Sequence, residues 1–258
     1  MLRGRRGPGR LRHAGRRAAP GPAGGCARPR REALPPQARP LRQADRAAVE
    51  EAGGGLSEPA FLADLPLARA AHAFAAERHA GQTRRPDGAP FIRHPEEVAA
   101  LLHDAGFSEP VVAAGLLHDV LEKTDTTVED LEERFGPEVA RLMEAVSEDE
   151  RIDSYADRKA ALIDSAVGAG PDGAALLAAD KISKVRDFRA RLQRGAAGDD
   201  SPELHKLEHY RQSLAALERS LPGHPLTKRL RAELADVEAA TPGSAPPRAP
   251  ATAPPGSR

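Results

Sequence analysis

The stretch Pro110–Asp125, PVVAAGLLHDVLEKTD, sets a His-Asp pair in apolar surroundings: from Val111 to Leu121 only His118 and Asp119 are polar. An ionised Asp among apolar neighbours is costly unless something pairs with it. A neutral imidazole beside a carboxylate is a natural pair of ligands for a divalent metal. Asp180, in LLAADKISKVRDF, has the same setting, with apolar residues before it and charged ones after. His94 sits where a polar loop meets a helical pattern. His94, His118, Asp119 and Asp180 together offer two imidazoles and two carboxylates. Such a set leaves two positions of an octahedral shell open and suits manganese or a related divalent ion. A cysteine-based zinc site is excluded, because Cys26 is the only cysteine.

Glu122 stands at i+4 from His118 and i+3 from Asp119, so it projects to the same helix face. A carboxylate there, outside the ligand set, is placed to orient or deprotonate a water at the metal. The tetrapeptide LLHD also occurs at 101–104. That copy ends an amphipathic pattern, where the helix C-terminus alone stabilises a His. His103 and Asp104 therefore read as surface residues.

These side chains need helices to carry them. A segment apolar on all sides predicts a central helix over Pro110–Asp125. Helical periodicity also predicts segments at 67–79, from Pro95 to about 105, at 128–135, from Pro137 to about 146, and at about 154–167, 172–194, 202–220 and 224–239. Thr126 with Glu129 has the spacing of a capping box. The loop GQTRRPDGAP carries turn residues at Pro86, Asp87 and Gly88. No strand pattern stands out, so the expected fold is an all-α bundle over about 60–240. Facing helices in such a bundle can build a metal site.

Composition sets the flanks. Residues 1–56 are dominated by Arg, Gly, Pro and Ala. They cannot bury enough surface to offset their ordering entropy and read as a disordered arm. The arm is either a basic handle for polyanions or an inert extension. Residues 241–258 form a Pro/Ala/Ser-rich tail of the same kind. The first fifty residues hold thirteen Arg against Glu32, Asp45 and Glu50, a surplus of ten positive charges on a chain of zero net charge. The remainder is therefore acidic by ten. An acidic body, on a chain with 3% aromatic residues and no Trp, argues against a nucleic-acid surface. No apolar run reaches the roughly 18–20 residues of a membrane span. One cysteine and no secretory signal pattern suit a cytoplasmic protein.

AHAFAAERHAGQTRRPDGAPFIRHP, then LLHDVLEKTDTT, FGPEVARLMEAVS and LAADKISKVRDF, in this order and spacing, resemble the HD-domain hydrolases of the RelA/SpoT group. The likeness covers about residues 66–220, and its layout is that of the stand-alone small alarmone hydrolases. It implies a helical HD fold that binds one Mn²⁺ and removes the 3′-pyrophosphate of (p)ppGpp. By position His94, His118, Asp119 and Asp180 match the metal ligands, and Glu122 the first acid of a Glu-Asp catalytic pair. Arg84 matches a nucleotide-contacting Arg. Lys206 and Tyr210 match a basic-residue-to-Tyr pattern near the nucleotide.

Two positions depart from the pattern. Lys123 replaces the second catalytic acid, and Lys184 replaces an Asn. Each Lys lies at i+4 from a ligand Asp. Three readings stay open: ordinary helix pairs, clamps for substrate phosphates, or competitors for the aspartates that leave a non-catalytic nucleotide-binding domain. Hydrolysis of another nucleotide or phosphate ester is a further alternative.

Overall fold

The computed structural model describes residues 58–84, 87–194 and 204–240, apart from the side chains of 204 and 205. The expected arm at 1–56 and tail at 241–258 lie outside the described residues. Within them the chain is helical, and its only β pairing is a single bridge between Thr83 and Pro90. None of the described helices is long and apolar enough to cross a membrane.

A short 3-10 turn, Ala60–Leu62, precedes α1, Pro66–Arg78. Helix α2 is Arg93–Asp104 and α3 is Glu109–Leu117. Pro66 occupies the first position of α1, where its missing N–H costs nothing. The next two N–H groups, of Leu67 and Ala68, donate to Glu109 Oε1 at 2.6 and 3.2 Å. One side chain at the start of α3 thus satisfies the start of α1.

Helix α3 is buried from Val111 to Leu117, as its all-apolar sequence requires. It does not continue through the His-Asp pair. The Gly115 carbonyl, which the Asp119 N–H would meet in a continuous helix, accepts instead from His118 Nδ1 at 2.9 Å. The chain resumes as a single turn, α4, Val120–Lys123. The predicted single helix over Pro110–Asp125 is therefore two, joined at the two residues that matter chemically.

Helix α5 is Val128–Phe135 and α6 is Pro137–Val146. The capping box lies one residue later than predicted. Thr127 Oγ1 accepts from Asp130 N at 3.2 Å, and Thr127 N donates to Asp130 Oδ2 at 3.0 Å. Thr126 is unavailable because it is buried, with its hydroxyl 2.8 Å from that of Thr124. Helix α7 is Tyr155–Gly168 and α8 is Pro171–Gln193. Helices α9, Leu204–Ser220, and α10, Pro225–Ala240, complete the bundle.

Helix α8 is buried without interruption from Gly173 to Ser183. It packs against α2, α3, α6, α7, α9 and α10, while α3 packs against α1, α2, α6 and α8. The centre of the domain is therefore shared by α3 and α8, with Leu116, Leu117, Leu176, Leu177 and Ile182 almost fully buried. Gly115 lets α2 approach α3. A Cβ there would meet Leu102 Cδ1 at 2.8 Å and the Ala99 backbone at 3.2–3.3 Å. That close approach carries the first turn of α2, and His94 with it, toward the break between α3 and α4.

Candidate metal centre and substrate cleft

His94 from α2, His118 and Asp119 from the α3–α4 break, and Asp180 from α8 are all buried, and their inward atoms meet. His94 Nε2 is 3.0 Å from His118 Nε2 and 3.3 Å from Asp180 Oδ1. His118 Nε2 is 3.5 Å from Asp180 Oδ1. One ligand atom from each of these three residues lies within 4.8 Å of the others. Asp119 Oδ2 is 3.5 Å from both Nε2 atoms.

The chemistry of this donor set fits a divalent cation. His118 Nδ1 faces a carbonyl, which can only accept, so that nitrogen carries a hydrogen. Its Nε2 is then the atom turned toward the cluster. Asp119 Oδ2 is buried and accepts no hydrogen bond, an expensive condition unless something positive stands beside it. Asp180 Oδ1 likewise accepts none, although the Lys184 ammonium lies 2.9 Å away. Donors sharing one ion at ~2.1 Å lie about 3.0–3.4 Å apart, close to the separations seen.

Protonation follows from the same packing. Burial pushes His94 below its ordinary pKa. Burial also opposes the charge on His118, but Asp119 and Asp180 outweigh it and raise that pKa. Asp119 stays ionised despite burial, held well below the usual carboxylate range by His118 and Lys184. Asp180 is held down likewise by Lys181 and Lys184.

Lys123 and Lys181 take the outward carboxylate oxygens. Lys123 Nζ is 2.8 Å from Asp119 Oδ1 and 5.3 Å from the centroid of the Phe91 ring. Lys181 Nζ is 2.8 Å from Asp180 Oδ2. Lys184 straddles Asp180, 2.9 Å from Oδ1 and 3.0 Å from Oδ2, with its hydrogen bond to Oδ2. The side chains of Lys123 and Lys184 are each 34% exposed, and both border an open cleft of about 490 Å³.

That cleft is also lined by Arg84, Glu122, Lys206 and Tyr210, so every residue assigned from the sequence to substrate or catalysis borders one space. Glu122 Oε1 accepts from the Glu148 N–H at 3.1 Å, which fixes the carboxylate at the rim. Arg84 is paired with Asp187 and lies 3.7 Å from Glu97 Oε2. Tyr210 is buried, and its hydroxyl pKa is pushed up to about 12. Phe91, Lys159, Lys181, Arg191 and His209 also line the cleft, and none stood out in the sequence. Lys181 had a readable signal, because it follows Asp180 directly. His209 had none, for its place depends on how α9 docks. His103 and Asp104 are exposed and face each other at 3.6 Å, well apart from this chemistry.

Known proteins resemble this chain in sequence and fold. Residues 71–168 match the HD domain family, whose hydrolases are metal-dependent. The human guanosine-3′,5′-bis(diphosphate) 3′-pyrophosphohydrolase MESH1 is 35% identical over 153 residues, 58% of this chain and 82% of that protein. An Aquifex aeolicus protein of the same activity name is 48% identical over 77 residues, 30% of this chain and 11% of that much longer one. A solved structure of a metazoan SpoT ortholog, described as hydrolysing ppGpp, superposes with a TM-score of 0.57 at 25% identity, covering 70% of this chain and 98% of that one. The match to the HD domain family, the likeness over 82% of human MESH1 and the superposition on the metazoan SpoT ortholog lead to one conclusion: the chain belongs to the HD-domain phosphohydrolases of the RelA/SpoT and MESH1 type.

Proposed function

We propose that the protein hydrolyses guanosine 3′,5′-bis(diphosphate) at its 3′ position, releasing pyrophosphate, with Mn²⁺ as its ion. The reading is carried by the convergence of four buried donors beside a cation-lined cleft, and it draws on the activity named for the relatives. His94, His118, Asp119 and Asp180 hold the ion. When bound, such an ion supplies Lewis acidity toward a phosphoryl oxygen. Glu122 orients the attacking water and takes its proton. The water oxygen bonds to phosphorus as the bond to the ribose 3′-oxygen breaks; that oxygen takes up a proton from solvent, and Glu122 returns its own to solvent.

Lys123 and Lys184 hold the phosphates, since a Lys ammonium is a compact cation suited to them. Arg84 grips the nucleotide from the loop side, and Lys206 and Tyr210 from α9. A pocket floored by carboxylates would otherwise repel a polyanion. The substrate is a diffusible nucleotide of the cytoplasm, not DNA or RNA.

A second reading, nucleotide binding without turnover, is favoured by one observation: Lys184 covers both oxygens of Asp180. Metal analysis of the purified protein, with turnover of a nucleotide panel in added Mn²⁺, separates the two. Pyrophosphate release from guanosine 3′,5′-bis(diphosphate) is expected. Nucleotide bound without release would establish the second reading instead.

A further inference from the structure

The imidazole of His94 has two nitrogens, and only one tautomer offers Nε2 as a lone pair to the donor cluster. The competing tautomer would donate Nε2–H to Asp180 Oδ1, 3.3 Å away. The surroundings of Nδ1 decide between them. Nδ1 lies 2.8 Å from Ser183 Oγ, and Ser183 is fully buried. A hydroxyl has one hydrogen to give. Ser183 Oγ is also 2.7 Å from Glu97 Oε2.

A carboxylate can only accept, and Glu97 is kept a carboxylate by Arg186, whose guanidinium donates to Oε1 at 2.8 Å. The Ser183 hydrogen therefore goes to Glu97. What Ser183 turns toward His94 is a lone pair, so Nδ1 must carry the hydrogen and Nε2 is bare. Arg186 is itself fixed from α10, where its Nε meets Glu233 Oε1 at 2.6 Å.

We propose that Glu97 and Ser183 are positioning residues: a carboxylate–hydroxyl relay that locks His94 in the tautomer able to bind metal. The proposal rests on His94 being a ligand. It goes beyond the ligand set, because neither relay residue touches the ion and each hydrogen along the relay has only one direction open to it. Partners behind a ligating imidazole typically contribute 10–100-fold in metal affinity.

Two variants test it. Ser183→Ala removes the hydroxyl and leaves Nδ1–H facing no acceptor. Glu97→Gln keeps the shape but presents an amide that can donate to Ser183 Oγ. The hydroxyl hydrogen is then free to turn toward Nδ1. Two readouts are used: Mn²⁺ affinity by calorimetry, and ¹⁵N chemical shifts of the imidazoles in the metal-free protein. The parent is expected to show His94 protonated at Nδ1. Each variant should shift toward Nε2–H and bind Mn²⁺ on the order of 10–100-fold more weakly, with the metal-free fold retained by circular dichroism. Unchanged affinity and an unchanged His94 tautomer in both variants would overturn the relay. If the parent itself bound no ion, the metal reading would fall, while the ¹⁵N shifts would still decide the tautomer.

Discussion

Lys123 reaches back one turn to Asp119 and takes Oδ1 at 2.8 Å, so the other oxygen, Oδ2, faces His94 and His118 at 3.5 Å. The lysine and the donor cluster thus hold different oxygens of one carboxylate, as Lys181 and the cluster do at Asp180. Lys184 is the exception, since it sits astride both.

The pair Lys123→Asp and Lys184→Asn tests what those cations do. Each change is expected to weaken nucleotide binding, more for substrates with more phosphates, and to leave the metal content unchanged. Equilibrium binding of guanosine mono-, di- and bis(diphosphate) nucleotides reads the trend. A double variant that gains both Mn²⁺ affinity and hydrolysis over an inactive parent would show that the lysines silence the site.

Glu122→Gln keeps the bond to the Glu148 N–H through its amide oxygen and removes only the charge. Single-turnover kinetics are expected to slow by roughly 10²–10⁴-fold, with metal and nucleotide still bound. Full activity would move the base elsewhere in the cleft.

His209 makes the acid side of the stability profile steeper. It is buried, no partner hydrogen-bonds either ring nitrogen, and burial together with the nearby Lys181 and Lys159 lowers its pKa to about 3. Between that value and the ordinary His pKa near 6.5 the unfolded chain binds a proton that the folded one refuses. Its contribution is neutral above about pH 6.5 and becomes destabilising as pH falls toward 3. Urea midpoints of metal-free parent and His209→Leu at pH 7.5 and pH 5 should show a smaller acid-side loss in the variant. Parallel losses would mean that the folded protein protonates His209 freely.

Deletion of residues 1–56 is expected to leave melting temperature and hydrolysis nearly as they are, because Arg, Gly and Pro bury little. A fall of many degrees would place part of that segment in the folded core.

Much of this was legible because the informative residues break a pattern. His118 and Asp119 are conspicuous in an apolar run, and an apolar run demands burial, so a buried charged pair followed from sequence alone. Asp180 repeated the signal. The helix break at His118 and Asp119 was not legible, for there the Gly115 carbonyl accepts from a side chain, His118 Nδ1, and no sequence pattern marks that bond. The capping box shifted by a residue because Thr126 found a buried partner in Thr124. Glu97 and Ser183 were invisible for a different reason. They lie 86 positions apart and look like an exposed acid and a small polar residue until α2 and α8 are laid side by side.

The four inward donors come from three places distant in sequence: α2, the break between α3 and α4, and α8. An ion at that junction is a staple across the bundle. Whatever binds the folded state alone stabilises it by mass action, about 2.7 kcal/mol at a hundredfold excess over the dissociation constant. The unfolded chain has no such junction to offer. The preferred ion can therefore be ranked from melting temperature alone, across Mn²⁺, Mg²⁺, Co²⁺ and Zn²⁺, before any nucleotide is added.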